Sequence, residues 1–138
     1  MIIPNARKLI QGRTLAEIKP VDTARNACKV MCELDVGAVV VLDGRRLVGV
    51  LSERDIIRKV VCRDLHNDQT RVSEIMTPDP RTMTADADLA FALKTMQAGG
   101  FHHVPVIDGD EVIGLISADD IPEEYRMMLE RFREIRGG

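Results

Sequence analysis

Two serines each stand three residues ahead of an aspartate, in Gly49-Val50-Leu51-Ser52-Glu53-Arg54-Asp55 and in Gly114-Leu115-Ile116-Ser117-Ala118-Asp119-Asp120. A carboxylate so placed has two available jobs. Its oxygens can accept hydrogen bonds from the vicinal hydroxyls of a sugar, the reason dinucleotide folds keep an acidic side chain at the ribose. It can also close a capping box with the serine where a strand ends and a helix begins, at the end of the helix dipole that favours an anion. The serines divide in the same way. Each hydroxyl either caps an N–H or joins free N–H groups around an anion. The spacing speaks first for capping, and the two roles are not exclusive.

Other candidate groups flank this pair. Arg54 and Asp119 occupy equivalent positions with opposite charge, so an arginine that could hold a phosphate by charge-assisted bonds is matched by a carboxylate that would repel one. His102 and His103 precede the apolar run Val104 to Ile107, and imidazole is the side chain most easily moved across neutral pH. Side chains alternate along a strand, so at most one of the two histidines faces a given side. The first copy has Gly37-Ala38 there, which makes the two halves chemically unequal. Cys28, Cys32 and Cys62 are an odd number without a close pair; with His66 they lack the convergence a metal requires. They read as thiols packed like small hydrophobes, with a redox or metal sensor the remotest alternative.

These groups must be positioned by a duplication. Asp55 and Asp120 lie 65 residues apart, and the same offset joins Ala27 to Ala92, Met31 to Met96, Val39 to Val104, Val41 to Val106 and Asp43-Gly44 to Asp108-Gly109. No gap is needed from Ile18/Met83 to Ile57/Pro122, which is the mark of an internal repeat. A repeat of about 60 residues buries little core alone, so the halves are expected to pack as one pseudo-twofold unit.

The chain has 138 residues, 45% hydrophobic and 30% charged, as a globular protein has. A net charge of −3, no Trp and 3% aromatics argue against a nucleic-acid binder, which needs a basic face and stacking rings. No apolar run approaches the roughly 18 residues of a membrane span, and residues 1–5 lack the basic head and apolar core of a secretion signal. The expectation is a cytoplasmic protein with no membrane partner.

Each repeat reads as strand, helix, strand, strand, helix. Thr14-Leu15 opens the first short strand and Pro20 to Thr23 supplies a turn and an N-cap. Ala24, Ala27, Cys28, Met31 and Leu34 then give a helical stripe. Val36 to Leu42 is a strand covered on both faces, Asp43-Gly44 a hairpin turn and Leu47 to Leu51 its partner. Ile56, Ile57, Val60 and Val61 are expected as the buried stripe of the helix after Ser52. Residues 63–71 link the copies, and Thr77 to Pro80 is read as a stiff turn. Thr82-Met83 starts the second set, whose helix stops at Gly99-Gly100. The last helix carries Tyr125, Met128, Leu129, Phe132 and Ile135 on one face, suited either to its own sheet or to a second chain.

At this point the residues resemble a family. From about Thr14 to Phe132 the chain is similar to a tandem pair of CBS domains, the β-α-β-β-α modules named after cystathionine β-synthase. The resemblance rests on Ser73-Glu74-Ile75-Met76-Thr77-Pro78, on His102-His103-Val104-Pro105-Val106-Ile107-Asp108-Gly109 and on both Gly-x-x-Ser-x-x-Asp motifs. It implies an α/β (α+β) fold of two repeats, 11–69 and 74–134, packed as one module with two related clefts. The stretch Leu51 to Asp55 looks most like stand-alone bacterial or archaeal pairs, and no attached catalytic domain is expected.

The resemblance further implies a regulatory role in which AMP, ADP, ATP, NAD or S-adenosylmethionine binds in the clefts. Asp55 and Asp120 would take the ribose, Ser52, Ser117, Arg54, His102 and His103 the phosphates, and the strand at Pro105 would help shape the site. Adenine would lie near Thr82-Met83 or Glu17-Ile18 among aliphatic groups, with no ring at hand to stack. Such modules pair into homodimers and pass their state to a regulated protein. No obligatory cofactor, no metal and no catalytic residue is expected. The alternative is a ligand-free scaffold acting through its dimer surface and last helix.

Overall fold

A computed structural model describes residues 5–137, apart from the side chains of Leu129 and residues 132–137. The elements recur with the offset of the sequence. In the first half β1 (Glu17–Ile18) pairs in parallel with β2 (Ala38–Asp43), which forms an antiparallel hairpin with β3 (Arg46–Ser52). In the second half β5 (Met83–Thr84), β6 (His103–Asp108) and β7 (Glu111–Ser117) repeat that order. Register is kept to the residue: Ile18 faces Val41 as Met83 faces Val106, and the hairpins slip at equivalent places, Val41/Leu42 and Val106/Ile107. Gly44 and Gly109 take φ of +63° at the first position of each two-residue turn, a conformation that glycine reaches without strain.

The helices follow from the same residues in both copies. α2 (Ala24–Leu34) is capped by Thr23, whose hydroxyl accepts from the Asn26 N–H, and α5 (Leu89–Gly99) by Asp88, which accepts from the Phe91 N–H. Each ends on a left-handed residue, Asp35 in the first and Gly100 in the second. Each half has its own core. Ile18, Met31, Val39, Val41 and Leu51 fill the first; Met83, Leu93, Met96, Val104, Val106 and Ile116 fill the second.

The segments ahead of the repeats are exchanged. α1 (Ala6–Ile10) buries Ala6 and Ile10 in the second core and donates from Ala6 N–H to Ala87 O at 3.1 Å. α4 (Val72–Ile75) buries Val72 and Ile75 in the first core and donates from Val72 N–H to Asp22 O at 2.8 Å. Beyond α4, Thr77–Pro78 is not the free turn expected. It is a strand, β4, pairing antiparallel with β3 at the edge of the first sheet, where a proline is tolerated.

Two helices depart from the sequence reading. α3 (Glu53–Ile56) runs into a π-helical turn, Ile57–Val61, where the Cys62 N–H reaches Ile57 O at 2.9 Å. The extra residue rotates the apolar pattern, so Val60 is buried and Ile56 partly so, while Ile57 and Val61 are 56% and 64% exposed. After Ser117 the second copy makes only a 3-10 turn, Ala118–Asp120, before α6 (Glu123–Gly137) begins. Tyr125 packs against the second core, whereas Met128 is exposed; Leu129, Phe132 and Ile135 have side chains outside the described set. The thiols also correct the expectation: Cys32 and Cys62 are exposed and Cys28 is half-buried, the burial of Cys28 raising its pKa with help from Cys32.

Candidate functional site

Alternation along the strands sends Val39, Val41, Val104 and Val106 into the two cores and their neighbours to the opposite faces. Val40 pairs with Val50 and Ala38 with Ser52; Pro105 pairs with Leu115 and His103 with Ser117. Ala38, Val50 and Ser52 line one cleft together with His103, Leu115 and Ser117, so the two sheets face each other across it. The cleft has a volume of about 1370 Å³, ample for a drug-sized ligand.

Seven predicted residues meet there: Ser52, Arg54, Asp55, His102, His103, Ser117 and Asp120 all line this cleft. Two do not. Pro105 is fully buried in β6, on the face toward the opposite sheet. Thr82 lines a separate cavity of about 410 Å³ with Arg45, Arg46 and Pro80. The backbone closes the two ends alike: Glu53 N–H donates to Gly37 O and Ala118 N–H to His102 O, each at 2.9 Å.

Both capping boxes are built. Ser52 donates to Asp55 Oδ2 from its N–H at 3.0 Å and from its hydroxyl at 3.1 Å, while the Asp55 N–H donates to Ser52 Oγ at 3.2 Å. Lys59 Nζ stands 3.1 Å from Asp55 Oδ1 and donates to Ile75 O at 3.0 Å. In the second copy the Ser117 N–H donates to Asp120 Oδ2 at 2.7 Å, and Arg13 Nη1 lies 3.2 Å from the same oxygen. Equivalent carboxylates are thus neutralised by cations of different origin.

His103 is the half-buried histidine and His102 the exposed one, as alternation requires. Burial lowers the His103 pKa from its ordinary value, and the charge of His102 lowers it further; Asp120, Asp119 and Glu53 pull the other way. The imidazole is therefore held neutral, ready to gain a proton beside an added anion. Asp119 is almost wholly solvated, with Arg126 at 3.9 Å, and Arg126 also donates to Ala118 O.

Sequence reasoning missed several residues in the cleft or just behind it. Arg13 lies ahead of β1 and its counterpart is Pro78, so the duplication gave no hint of it. Lys59 was open to detection, because a lysine four residues after an aspartate on a helix pairs with it. Arg58 and Arg81 also line the cleft, as does Phe101, which corrects the expectation that no aromatic ring is near. Among the described residues no three His, Cys, Asp or Glu side chains converge as a metal would need. No described helix is long and apolar enough to cross a membrane.

Two facing β-α-β-β-α units with one cleft between them define a tandem-repeat module in architecture. The CBS-domain family model matches residues 13–62 and 72–125, and the chain belongs to the CBS-domain family. It is 36% identical to a CBS-domain protein of Burkholderia ambifaria, described as one of signal transduction, whose structure superposes with a TM-score of 0.77 over 83% of this chain and 88% of that one. A CBS-domain protein of Pyrobaculum aerophilum, solved in complex with AMP, is 26% identical with a TM-score of 0.81 over 92% and 97% of the two chains. The mitochondrial CBS-domain protein CBSX3 of Arabidopsis thaliana is 32% identical over 85% of this chain. The chain spans only 62% of CBSX3, and 17% of the Arabidopsis protein CBSCBSPB3, to which it is 35% identical.

Proposed function

We propose that the protein is a non-catalytic regulatory module that binds an adenosyl ligand in the cleft between its repeats. The observation that carries this reading is the AMP complex of the Pyrobaculum relative, which matches 92% of the chain. The local chemistry supports it. A ribose diol suits a carboxylate held at the cleft wall, and a phosphate suits His103, Arg54 or Arg13 and the serine ends of β3 and β7. Adenine has Phe101 and the aliphatic strand ends around Leu15 and Pro80 to lie against, with Thr82 one residue before β5. AMP, ADP, ATP, NAD and S-adenosylmethionine share the adenosine that these groups read.

Signalling follows by population shift: the ligand must prefer one arrangement of halves or protomers, since equal affinity for both shifts nothing. The proposal includes a homodimer and a regulated protein that reads the arrangement. The ligand-free scaffold is the second reading. It is favoured by the saturation of Asp55, whose oxygens the chain's own Ser52 and Lys59 already hold.

Thermal unfolding with the five adenosyl compounds separates them. A ligand at 100 times its Kd adds about 2.7 kcal/mol, roughly 5–10 °C in Tm for a domain of this size. Unchanged melting with every compound supports the scaffold.

A further inference from the structure

We infer that one nucleoside monophosphate binds per chain, on the Asp120 side of the cleft, because Lys59 holds the equivalent carboxylate of Asp55 closed. This rests on the reading of the cleft as an adenosyl site. The two aspartates are equivalent in sequence and unequal in surroundings. Asp55 Oδ2 receives the Ser52 N–H and hydroxyl, and its Oδ1 meets the Lys59 ammonium at 3.1 Å. That ammonium is fixed a second time, by Ile75 O at 3.0 Å. Asp55 is only 15% exposed and Lys59 29%. Expelling the lysine would strand a carbonyl of a buried residue without its donor, which is costly. The second copy has Glu124 at the position of Lys59 and cannot build this lock.

Asp120 is held more lightly. Its Oδ2 takes the Ser117 N–H and Arg13, while its Oδ1 has no partner among the described residues. A diol can therefore bond to Oδ1 without evicting anything. Arg13 touches Asp120 through one nitrogen and is 44% exposed. Its remaining N–H donors form the planar fork that matches a phosphate. His103 lines the same cleft, with its Nε2 4.0 Å from where a Cβ on Gly37 would stand, so it stands between the two copies. The ribose acceptor and Arg13, as phosphate donor, thus stand together on one side.

Titration calorimetry of the full chain with AMP and with adenosine tests this. Wild type is expected to take one AMP per chain. Asp120→Asn, which keeps an acceptor for the Ser117 N–H, should weaken AMP by about 10- to 100-fold, the worth of hydrogen bonds to a charged group. Arg13→Met should weaken AMP about tenfold more than it weakens adenosine. Lys59→Met should release Asp55 and raise the stoichiometry to two. Two AMP per wild-type chain, an Asp120→Asn affinity within about twofold of wild type, or a Lys59→Met chain that still takes one overturns the inference. If Asp120→Asn does not fold, Arg13→Met and Lys59→Met decide. A wild-type chain that takes no adenosyl compound overturns the cleft reading itself, so the two failures are distinct.

Discussion

Ile10 occupies the space that a side chain on Gly114 would fill. A Cβ built on Gly114 would stand 2.6 Å from Ile10 Cδ1, closer than side chains tolerate, and a tight 3.1 Å from its Cβ. The equivalent glycine behaves alike: a Cβ on Gly49 would meet Met76 Sδ at 2.6 Å and Thr77 O at 2.9 Å. Each repeat thus omits one side chain in its second hairpin strand to seat the segment that leads into the other repeat's first strand. Ile10 lies in the second core and Ile75 in the first, so the exchange ties the halves across the cleft.

Substitution at these glycines should therefore loosen the exchange. Gly114→Ala is expected to cost about 1–3 kcal/mol as an overpacked contact, and Gly49→Ala as much or more because a backbone oxygen stands in the way. Ile10→Ala should cost about 2–4 kcal/mol. Its hydrogen-exchange protection should fall first in β7, in the second repeat, although residue 10 precedes the first. Loss confined to β2 and β3 would contradict the exchanged packing.

The π-helical turn sets a second expectation. Val60→Ala should destabilise by about 1–3 kcal/mol, because Val60 is 2% exposed. Ile57→Lys and Val61→Lys should stay within about 0.5 kcal/mol, as surface changes do. Urea unfolding of the three variants checks the phase. A regular α-helix would put Ile57 and Val61 on the buried stripe, and both lysines would then be severe.

His103 predicts a pH dependence of stability. Its folded-state pKa lies below the ordinary 6.5, so between the two values the unfolded chain holds a proton that the folded chain refuses. Stability is full above about pH 7 and falls as pH drops through the unfolded value. The surrounding charges are His102, Glu53, Asp119 and Asp120. Urea midpoints between about pH 7.5 and 5.5 should decline for the wild type and decline less for His103→Gln. A phosphate beside the ring reverses the sign for binding: AMP affinity should fall less for wild type than for His103→Gln as pH drops toward the ordinary histidine value, because the bound phosphate favours the imidazolium. Parallel curves for the two proteins would remove His103 from the account.

Much of this was legible because the chain states it twice. The offset of 65 residues fixed strand pairing, turn position and even the matching hairpin slips, and two capping boxes were readable from Ser-x-x-Asp alone. What escaped lies where the copies diverge or cross. Arg13 and Ile10 precede β1 yet act on the second repeat, and no local pattern records that. Thr77–Pro78 looked like a turn because proline punctuates chains, and only tertiary pairing made it an edge strand. The π-turn shifts the helical phase by one residue, which a 3.6-residue period cannot anticipate. Phe101 escaped because its counterpart is Val36, so the repeat marked the position as aliphatic.

The most direct test of a nucleotide cleft is a crystal structure of the protein with AMP. The account predicts adenosine between the two sheets, its ribose hydroxyls within hydrogen-bond distance of Asp120 and its phosphate beside Arg13 and His103. A cleft without AMP in crystals grown at saturating nucleotide, with Arg13 still on Asp120, would contradict it.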